Sequence, residues 1–416
     1  MPGIGAPAVA MSAMMTAGWE IPRLVCSIPS MDLDFSEEQN LLRETVRGLC
    51  ERHCSYDVVR GLEDDPDGCA RDLWEQLGGL GGIGILLPEA HGGGGQGMLE
   101  AVVLYEELGR ALAPTPHFPS AVMVGGVLVR AGSAAQKEEW VPRIASGESI
   151  VVPAWLELGG GFDPAGVQLE AVARDGGFVL TGTKTHVPFA KVADRLVVLA
   201  RTGAEPEDVD LFLVDPAASG VALRHEKTMA SDAQFEVRLD DVRVSEDDRI
   251  GGAASGWATW MGAMYDGVIL LAAQAMGGAD RALEMTVAYA KERHQFGKPL
   301  GAFQALAHYM ADASTTIDGG RTLVYEAAWA RDEGRSIRRL APMAKSFACR
   351  TFRDTTKAAQ QIHGGMGFSV EYDIQLYFRR AKQLQLSWWD THFCEELIAA
   401  EVLDGGGPPD LRSAPS

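Results

Sequence analysis

The sequence predicts a multidomain α+β chain with an N-terminal α-helical domain, a middle antiparallel β-barrel or sandwich and a C-terminal four-helix bundle. Two changes of hydrophobic period carry this prediction. Apolar residues recur at helical spacing over residues 31–149, shift to short alternating runs over 150–252, and return to helical spacing over 253–403. A third observation is length. The last stretch holds uninterrupted runs of roughly 25 to 35 residues, the pattern of long antiparallel helices.

Composition narrows the function. A chain of 416 residues, 46% hydrophobic and 23% charged, can bury a sizeable core and divide into two or three domains. Its net charge of -20 argues against nucleic-acid binding, which needs basic faces. Any phosphate-bearing ligand must be met by local arginines. The six cysteines (Cys26, Cys50, Cys54, Cys69, Cys349 and Cys394) show no Cys-x-x-Cys spacing, so free thiols in a cytoplasmic protein are expected rather than a metal or disulfide site. No apolar run approaches the ~20 residues of a membrane span.

In chain order, residues 1–30 are rich in Ala, Gly, Met and Pro with no basic residue before Arg23, a poor signal peptide and an expected disordered extension. Met31, immediately before a helix signal, is expected as an alternative start, which mass spectrometry of the native N-terminus tests. Ser36-Glu-Glu-Gln39 reads as a capping box with Phe35 stapling onto the first turn, and Leu41, Leu42, Val46, Leu49 and Cys50 continue the helix. Further helices are predicted near 70–77, closed by Gly78 and Gly79, then over 101–110, 120–131 and 136–146. The glycine-rich stretch 81–97 is a loop; it lacks the spacing of a phosphate cradle. Strands are predicted at 178–182, 195–201, 210–215, 220–223 and 235–240, bounded by Gly, Asp and Pro. The long helices fall near 257–292, 302–332, 336–362 and 371–402, and the tail over 404–416 is expected to be disordered.

Arg293-His-Gln-Phe-Gly-Lys-Pro-Leu-Gly-Ala-Phe-Gln304 interrupts the bundle pattern. Gly297 and Pro299 do not suit one continuous helix, so two helices meet here through a short turn that gathers Arg293, Gln295 and Gln304 at a corner. An arginine there can grip a phosphate in bidentate fashion, or pair with a carboxylate such as Glu292.

Arg293-x-Gln-Phe-Gly-x-Pro-Leu followed by Phe303-Gln304, and Gln361-Ile-His-Gly-Gly-Met-Gly-Phe368 followed by Glu371-Tyr, resemble the two hallmark segments of the acyl-CoA dehydrogenase family. Weaker echoes are Tyr105-Glu-Glu-Leu-Gly-Arg110 and Leu180-Thr-Gly-Thr-Lys184. The resemblance runs from about Leu33 to Leu403. It implies the same three-domain architecture, with FAD between the middle domain and the bundle and its pyrophosphate and adenosine reaching a neighbouring subunit. It also implies α,β-dehydrogenation of an acyl-CoA substrate, a dimer or tetramer, and an electron-transfer flavoprotein or similar acceptor. By resemblance Arg293 binds the pyrophosphate, Phe296 packs near the adenine, Gln304 and Gln361 add hydrogen bonds, and Gly364 and Gly365 allow close backbone approach.

The chain departs from that pattern where the chemistry should be. The reaction needs a carboxylate beside the α carbon. The family's usual position for it holds Trp388, and the alternative on the first bundle helix, fixed by Leu271-Ala-Ala273, holds Gly267. Asp266 and Asp390 lie nearby in sequence, but about 100° and 200° of helical rotation away. The stretch that meets the flavin ring is replaced by Leu156-Glu-Leu-Gly-Gly-Gly-Phe162, and His186 and Pro188 replace the aromatic and hydroxyl residues after Lys184. The diphosphate motifs are kept while the ring contacts and the base are lost. The expectation is therefore one subunit of a heteromeric enzyme, lending Arg293, Gln304 and Gln361 to a partner that carries the base, as in bacterial members acting on bulky acyl-CoA substrates. A self-sufficient homo-oligomer using Asp266 or Asp390, a flavin monooxygenase or oxidase of the same fold, and a scaffold without flavin are the alternatives.

Overall fold

The structure, a computed structural model, describes residues 35–404. The expectations for the N-terminal extension, Met31, Cys26 and the tail beyond 404 fall outside them. Six helices open the chain: α1 (Glu37–His53), α2 (Tyr56–Gly61), α3 (Arg71–Leu80), α4 (Met98–Arg110), α5 (Gly125–Ala131) and α6 (Ala134–Ser146). The capping box at Ser36 and Gln39 forms as predicted, and Ser133 with Gln136 builds a second one on α6. Phe35 does not staple the first turn. Its ring packs edge-on against Tyr325 at 5.1 Å beneath the Arg43 guanidinium, a tertiary contact that sequence spacing cannot anticipate. Helix α3 passes through Gly78 and Gly79 and ends at Gly81, whose φ of 77° supplies the left-handed stop. The short α2, capped by Ser55, has too few residues to show a period.

Helix α4 is buried on nearly every side and ties the first domain to the bundle. His117, 1% exposed, follows it, with Nε2 3.0 Å from the Gly82 carbonyl and Nδ1 2.8 Å from the Tyr105 hydroxyl. A neutral ring satisfies both contacts by donating through Nε2 and accepting at Nδ1. Burial pushes its pKa down to about 4. The unfolded chain therefore takes up the proton first, and stability present above about pH 6.5 is lost as pH falls towards 4. Urea titrations across that window are expected to show a loss of about 2–3 kcal/mol, and a smaller loss in His117→Gln. An unchanged pH slope in the variant would assign the loss elsewhere.

The middle domain comprises β1 (Val151–Ala154), β2 (Glu170–Arg174), β3 (Gly177–Pro188), β4 (Arg195–Arg201), β5 (Val209–Val214), β6 (Val221–Glu226), β7 (Gln234–Ser245) and β8 (Arg249–Ile250). Their order in the sheet is β6-β7-β3-β2-β4-β5-β8, with β1 also on β4. The expected antiparallel barrel is corrected on two counts. Strands β1 and β2 both run parallel to β4, sharing one edge of it, and no ladder joins the outer strands β6 and β8 among the described residues. Strand β8 has only two residues, too few to carry a closing ladder. The long β3–β7 pair bends through register shifts between Leu180 and Gly182 and between Lys184 and Val187, which curves the sheet without closing it.

The C-terminal domain opens with α7 (Gly256–Glu292), a hairpin of β9 (His294–Gln295) and β10 (Lys298–Pro299), α8 (Gln304–Asp332) and α9 (Leu340–His363). The fourth long helix expected over 371–402 is two helices, α10 (Ile374–Leu386) and α11 (Thr391–Ala399). Trp388 (φ 61°) and Trp389 (φ 95°) take left-handed conformations between them, and the Asp390 carboxylate caps α11 by accepting from Phe393 N at 2.8 Å. Two adjacent bulky residues with positive φ are costly by about 1–3 kcal/mol each, so surrounding packing must hold them.

Candidate functional site

The site has two halves built from different chemistry. In the first, Arg293 caps α7, and the β9–β10 pair returns the chain through Phe296 (φ 53°) and Gly297 (φ 81°) to α8. Phe296 is 92% exposed, touching Phe303 edge-on at 6.2 Å, and Lys298 Nζ sits 4.3 Å over the Phe303 ring. Arg293 and Gln304 are exposed. The Arg293 side chain has no ion pair or hydrogen bond among the described residues, so the alternative pairing with Glu292 is not formed. Gln361 is exposed near the end of α9, and Gly364 stops that helix with φ 64°. Among the described residues a methyl group added at Gly364 or Gly365 would meet nothing within 4 Å, leaving the backbone open to an incoming group. His363, 3% exposed, stacks on Tyr289 at 4.3 Å and 25°, which sets the last turn of α9 against the last turn of α7. An unpaired guanidinium, free amides and bare backbone suit a diphosphate.

The second half gathers the sequence departures. Trp388 packs edge-on against Phe118 at 4.8 Å and lies nearly parallel to Trp155 at 6.0 Å and 19°. Trp155 also contacts Trp260 at 5.2 Å and Phe162 at 5.8 Å, and Phe162 meets Phe393 at 5.7 Å. Trp389, fully buried, packs on Tyr265 and Phe393. A side chain begun at Gly267 would place its Cβ 2.9 Å from Met123 Sδ and 3.1 Å from Phe118 Cζ. Trp388, Gly267 and Phe162, far apart in sequence, thus meet in one aromatic cluster fed by all three domains. Among the described residues the buried indole N–H groups of Trp260 and Trp389 have no acceptor, so the cluster is held by packing rather than polar contacts. Below it, Lys184 Nζ donates to Glu157 Oε1 at 2.6 Å, and that oxygen also accepts from Gln168 N and Leu169 N. Burial lowers the Lys184 pKa to about 8, with the Glu157 charge acting in the opposite direction. This ion pair pins the base of the loop carrying Leu156 to Phe162.

The two candidate carboxylates have other partners. Asp266 Oδ2 lies 2.5 Å from Arg130 Nη2 and 3.3 Å from Arg331 Nη2, and Asp390 caps α11. Asp266→Ala leaves two arginines facing each other and is expected to lower urea stability by about 1–3 kcal/mol while leaving turnover of the assembled enzyme intact. Abolished turnover with full flavin content would restore Asp266 as a base. His186 and Pro188 are separated by environment: His186 (φ 53°) is exposed beside Glu226, whereas Pro188 is buried. The cluster members Phe118, Trp155, Trp260 and Phe393 were not singled out by sequence. For Trp155 and Trp260 the signal was the enrichment of tryptophan, with Trp155 directly preceding the altered loop; Phe118 and Phe393 carried no signal.

The fit to a flavin divides along the same line. The exposed Arg293–Gln304 and Gln361–Gly365 segments suit the diphosphate end, whereas the aromatic cluster offers apolar faces and, as its polar side-chain groups without a partner among the described residues, the indole N–H groups of Trp260 and Trp389.

Comparison with known proteins agrees with this architecture. Family models described as the acyl-CoA dehydrogenase N-terminal, middle and C-terminal domains match residues 36–148, 154–242 and 254–387. A caffeyl-CoA reductase-Etf complex subunit, CarC, of Acetobacterium woodii is 29% identical, covering 83% of this chain and 93% of its own length. Acyl-CoA dehydrogenase FadE27 of Mycobacterium tuberculosis is 30% identical over 86% of this chain and 95% of its own. Among solved structures, the ChsE4-ChsE5 complex from Mycobacterium tuberculosis contains a chain with a TM-score of 0.82 and 28% identity, covering 91% of this chain and 100% of that one.

Proposed function

The chain belongs to the acyl-CoA dehydrogenase family, and from that premise we propose that it is the clamping subunit of a heteromeric, FAD-dependent acyl-CoA dehydrogenase. Arg293, Gln304 and Gln361 hold the FAD diphosphate across the subunit interface, with Phe296 beside the adenine and Gly364 and Gly365 against the cofactor. The partner subunit supplies the catalytic carboxylate and the acyl-CoA pocket. FAD, when bound, supplies the hydride acceptor; this chain's part is to fix the negatively charged end of the cofactor and to exclude water from the shared surface. One observation carries the reading: the two usual positions of the base hold Trp388 and Gly267, which pack against Phe118 and, through Trp388, Trp155, while Arg293 stands exposed without a hydrogen bond or ion pair among the described residues. A fixed cation facing solvent in a chain of net charge -20 suits an anionic ligand from outside the subunit.

In this reading the chain works in the cytoplasm and its electrons pass to an electron-transfer flavoprotein, in keeping with the relative named as a subunit of a caffeyl-CoA reductase-Etf complex. Among the described residues no helix is long and apolar enough to cross a membrane. The test is co-expression with acyl-CoA dehydrogenase-like chains of the same organism that carry the catalytic carboxylate, followed by flavin stoichiometry of any complex. One FAD per unlike pair, and a colourless chain when purified alone, are expected. A chain that alone binds one FAD per copy and bleaches it with an acyl-CoA would overturn the assignment.

A further inference from the structure

Helix α9 carries a lysine and a thiol that face each other in the core, away from the groups proposed to hold FAD. Lys345 and Cys349, one turn apart, are each 1% exposed. Lys345 Nζ lies 3.3 Å from Cys349 Sγ and also donates to the Leu384 carbonyl, which Cys349 Sγ approaches at 3.5 Å. Among the described residues Lys345 forms no ion pair with a carboxylate. A buried lysine ordinarily has one, because an uncompensated charge in the core is costly. Here the neighbouring side chain is instead an oxidisable nucleophile.

We propose that Lys345 and Cys349 form a peroxide-dependent modification site that closes to a sulfenamide. A hydroperoxide, the class of oxidant released when a reduced flavin meets dioxygen, transfers one oxygen to the Cys349 thiol. Sulfur loses two electrons, the peroxide O–O bond breaks, and water leaves. The Lys345 amine, its extra proton passed to water, then attacks the sulfenic sulfur. An N–S bond forms, the S–O bond breaks, and a second water departs. The net change is the loss of two hydrogens from the chain, for one hydrogen peroxide consumed. The pair is preformed at van der Waals distance on adjacent turns of one helix, so closure needs no movement of the backbone.

The competing fate is a disulfide with Cys394, a fully buried thiol in the same region of the core. Burial pushes the Cys394 pKa up to about 12, against the opposing influence of Lys345, which keeps it protonated and a poor nucleophile. Closure with Lys345 would also withdraw the amine from the Leu384 carbonyl. That carbonyl belongs to the last turn of α10, directly before the turn that carries Trp388 and Trp389.

The test exploits the sequence itself, because trypsin cuts after an unmodified Lys345. The intact protein is treated with hydrogen peroxide, free thiols are blocked, and the digest is read by tandem mass spectrometry. The expected product is the segment from Leu340 to Arg350, uncut at Lys345, two hydrogens lighter than the unmodified segment, and reopened by a thiol reductant. It should disappear in Cys349→Ser and persist in Cys394→Ser. In Lys345→Arg, oxidation should stop at a sulfenic acid trapped by a dimedone-type probe. Normal cleavage after Lys345 in peroxide-treated protein, with Cys349 free, over-oxidised or joined to Cys394, would overturn the assignment.

Discussion

Arg293→Gln is expected to weaken FAD retention by the assembled enzyme about 10- to 100-fold, the equivalent of one lost charge-assisted contact at roughly 1.5–3 kcal/mol. The substitution removes the positive charge and the guanidinium fork while leaving an amide that still donates hydrogen bonds. Because Arg293 is exposed and its side chain makes no hydrogen bond or ion pair among the described residues, the variant should unfold in urea like the wild type. That combination separates a ligand contact from a structural one. Arg293→Lys should fall between the two, since an ammonium keeps the charge but cannot form the bidentate pair. Flavin absorbance per unlike pair after gel filtration gives the measurement. If Arg293→Gln retained flavin at wild-type level, the guanidinium would be a surface charge and the clamp would lie elsewhere.

Gly267→Glu should prevent the chain from folding, or lower its stability by more than about 4 kcal/mol, the sum of a steric and an electrostatic cost. Gly267 holds one of the two positions at which family members place the base, so the substitution is the obvious attempt to restore activity. The structure gives it no room. A Cβ alone would lie 2.9 Å from Met123 Sδ and 3.1 Å from Phe118 Cζ, and overpacking of that kind is destabilising by about 1–3 kcal/mol. The carboxylate would then add the several kcal/mol of an unpaired buried charge, because the neighbours are aromatic rings and a thioether. Gly267→Ala, which meets only the steric part, should lose about 1–3 kcal/mol. Denaturant midpoints of the two variants measure the difference. A well-folded Gly267→Glu chain would mean that Phe118 and Trp388 rotate away from α7 and that the cluster is a loosely filled cavity.

The sequence was most legible where one chemical pattern determines one local structure. Ser36 and Gln39 announce a capping box and form one, and a 37-residue helix stands where the apolar period runs unbroken from Trp257 to Glu292. Arg293, Gly297 and Pro299 mark a helix-to-helix turn, and the structure puts a two-residue-strand hairpin there. Legibility failed where packing between distant segments decides. Trp388 and Trp389 read as apolar positions on a helix, yet contacts with Phe118, Trp155 and Tyr265 hold them in a left-handed turn. Strands β1 and β2 carry little alternation of their own. Their parallel pairing with β4 depends on long-range register, which no local pattern records.

The aromatic cluster has a consequence for how such a protein comes into being. A subunit whose cofactor ring forms part of its core depends on cofactor supply, since ligand binding and folding are then linked. Here Trp155, Trp260, Trp388 and Phe162 complete that core with the chain's own side chains. Under the proposed division of labour, the polypeptide matures on the ribosome's schedule rather than the flavin's, and waits as a finished template. Starving a cell of riboflavin should deplete the partner through proteolysis while this chain persists, so that cofactor scarcity is registered by one half of the assembly alone.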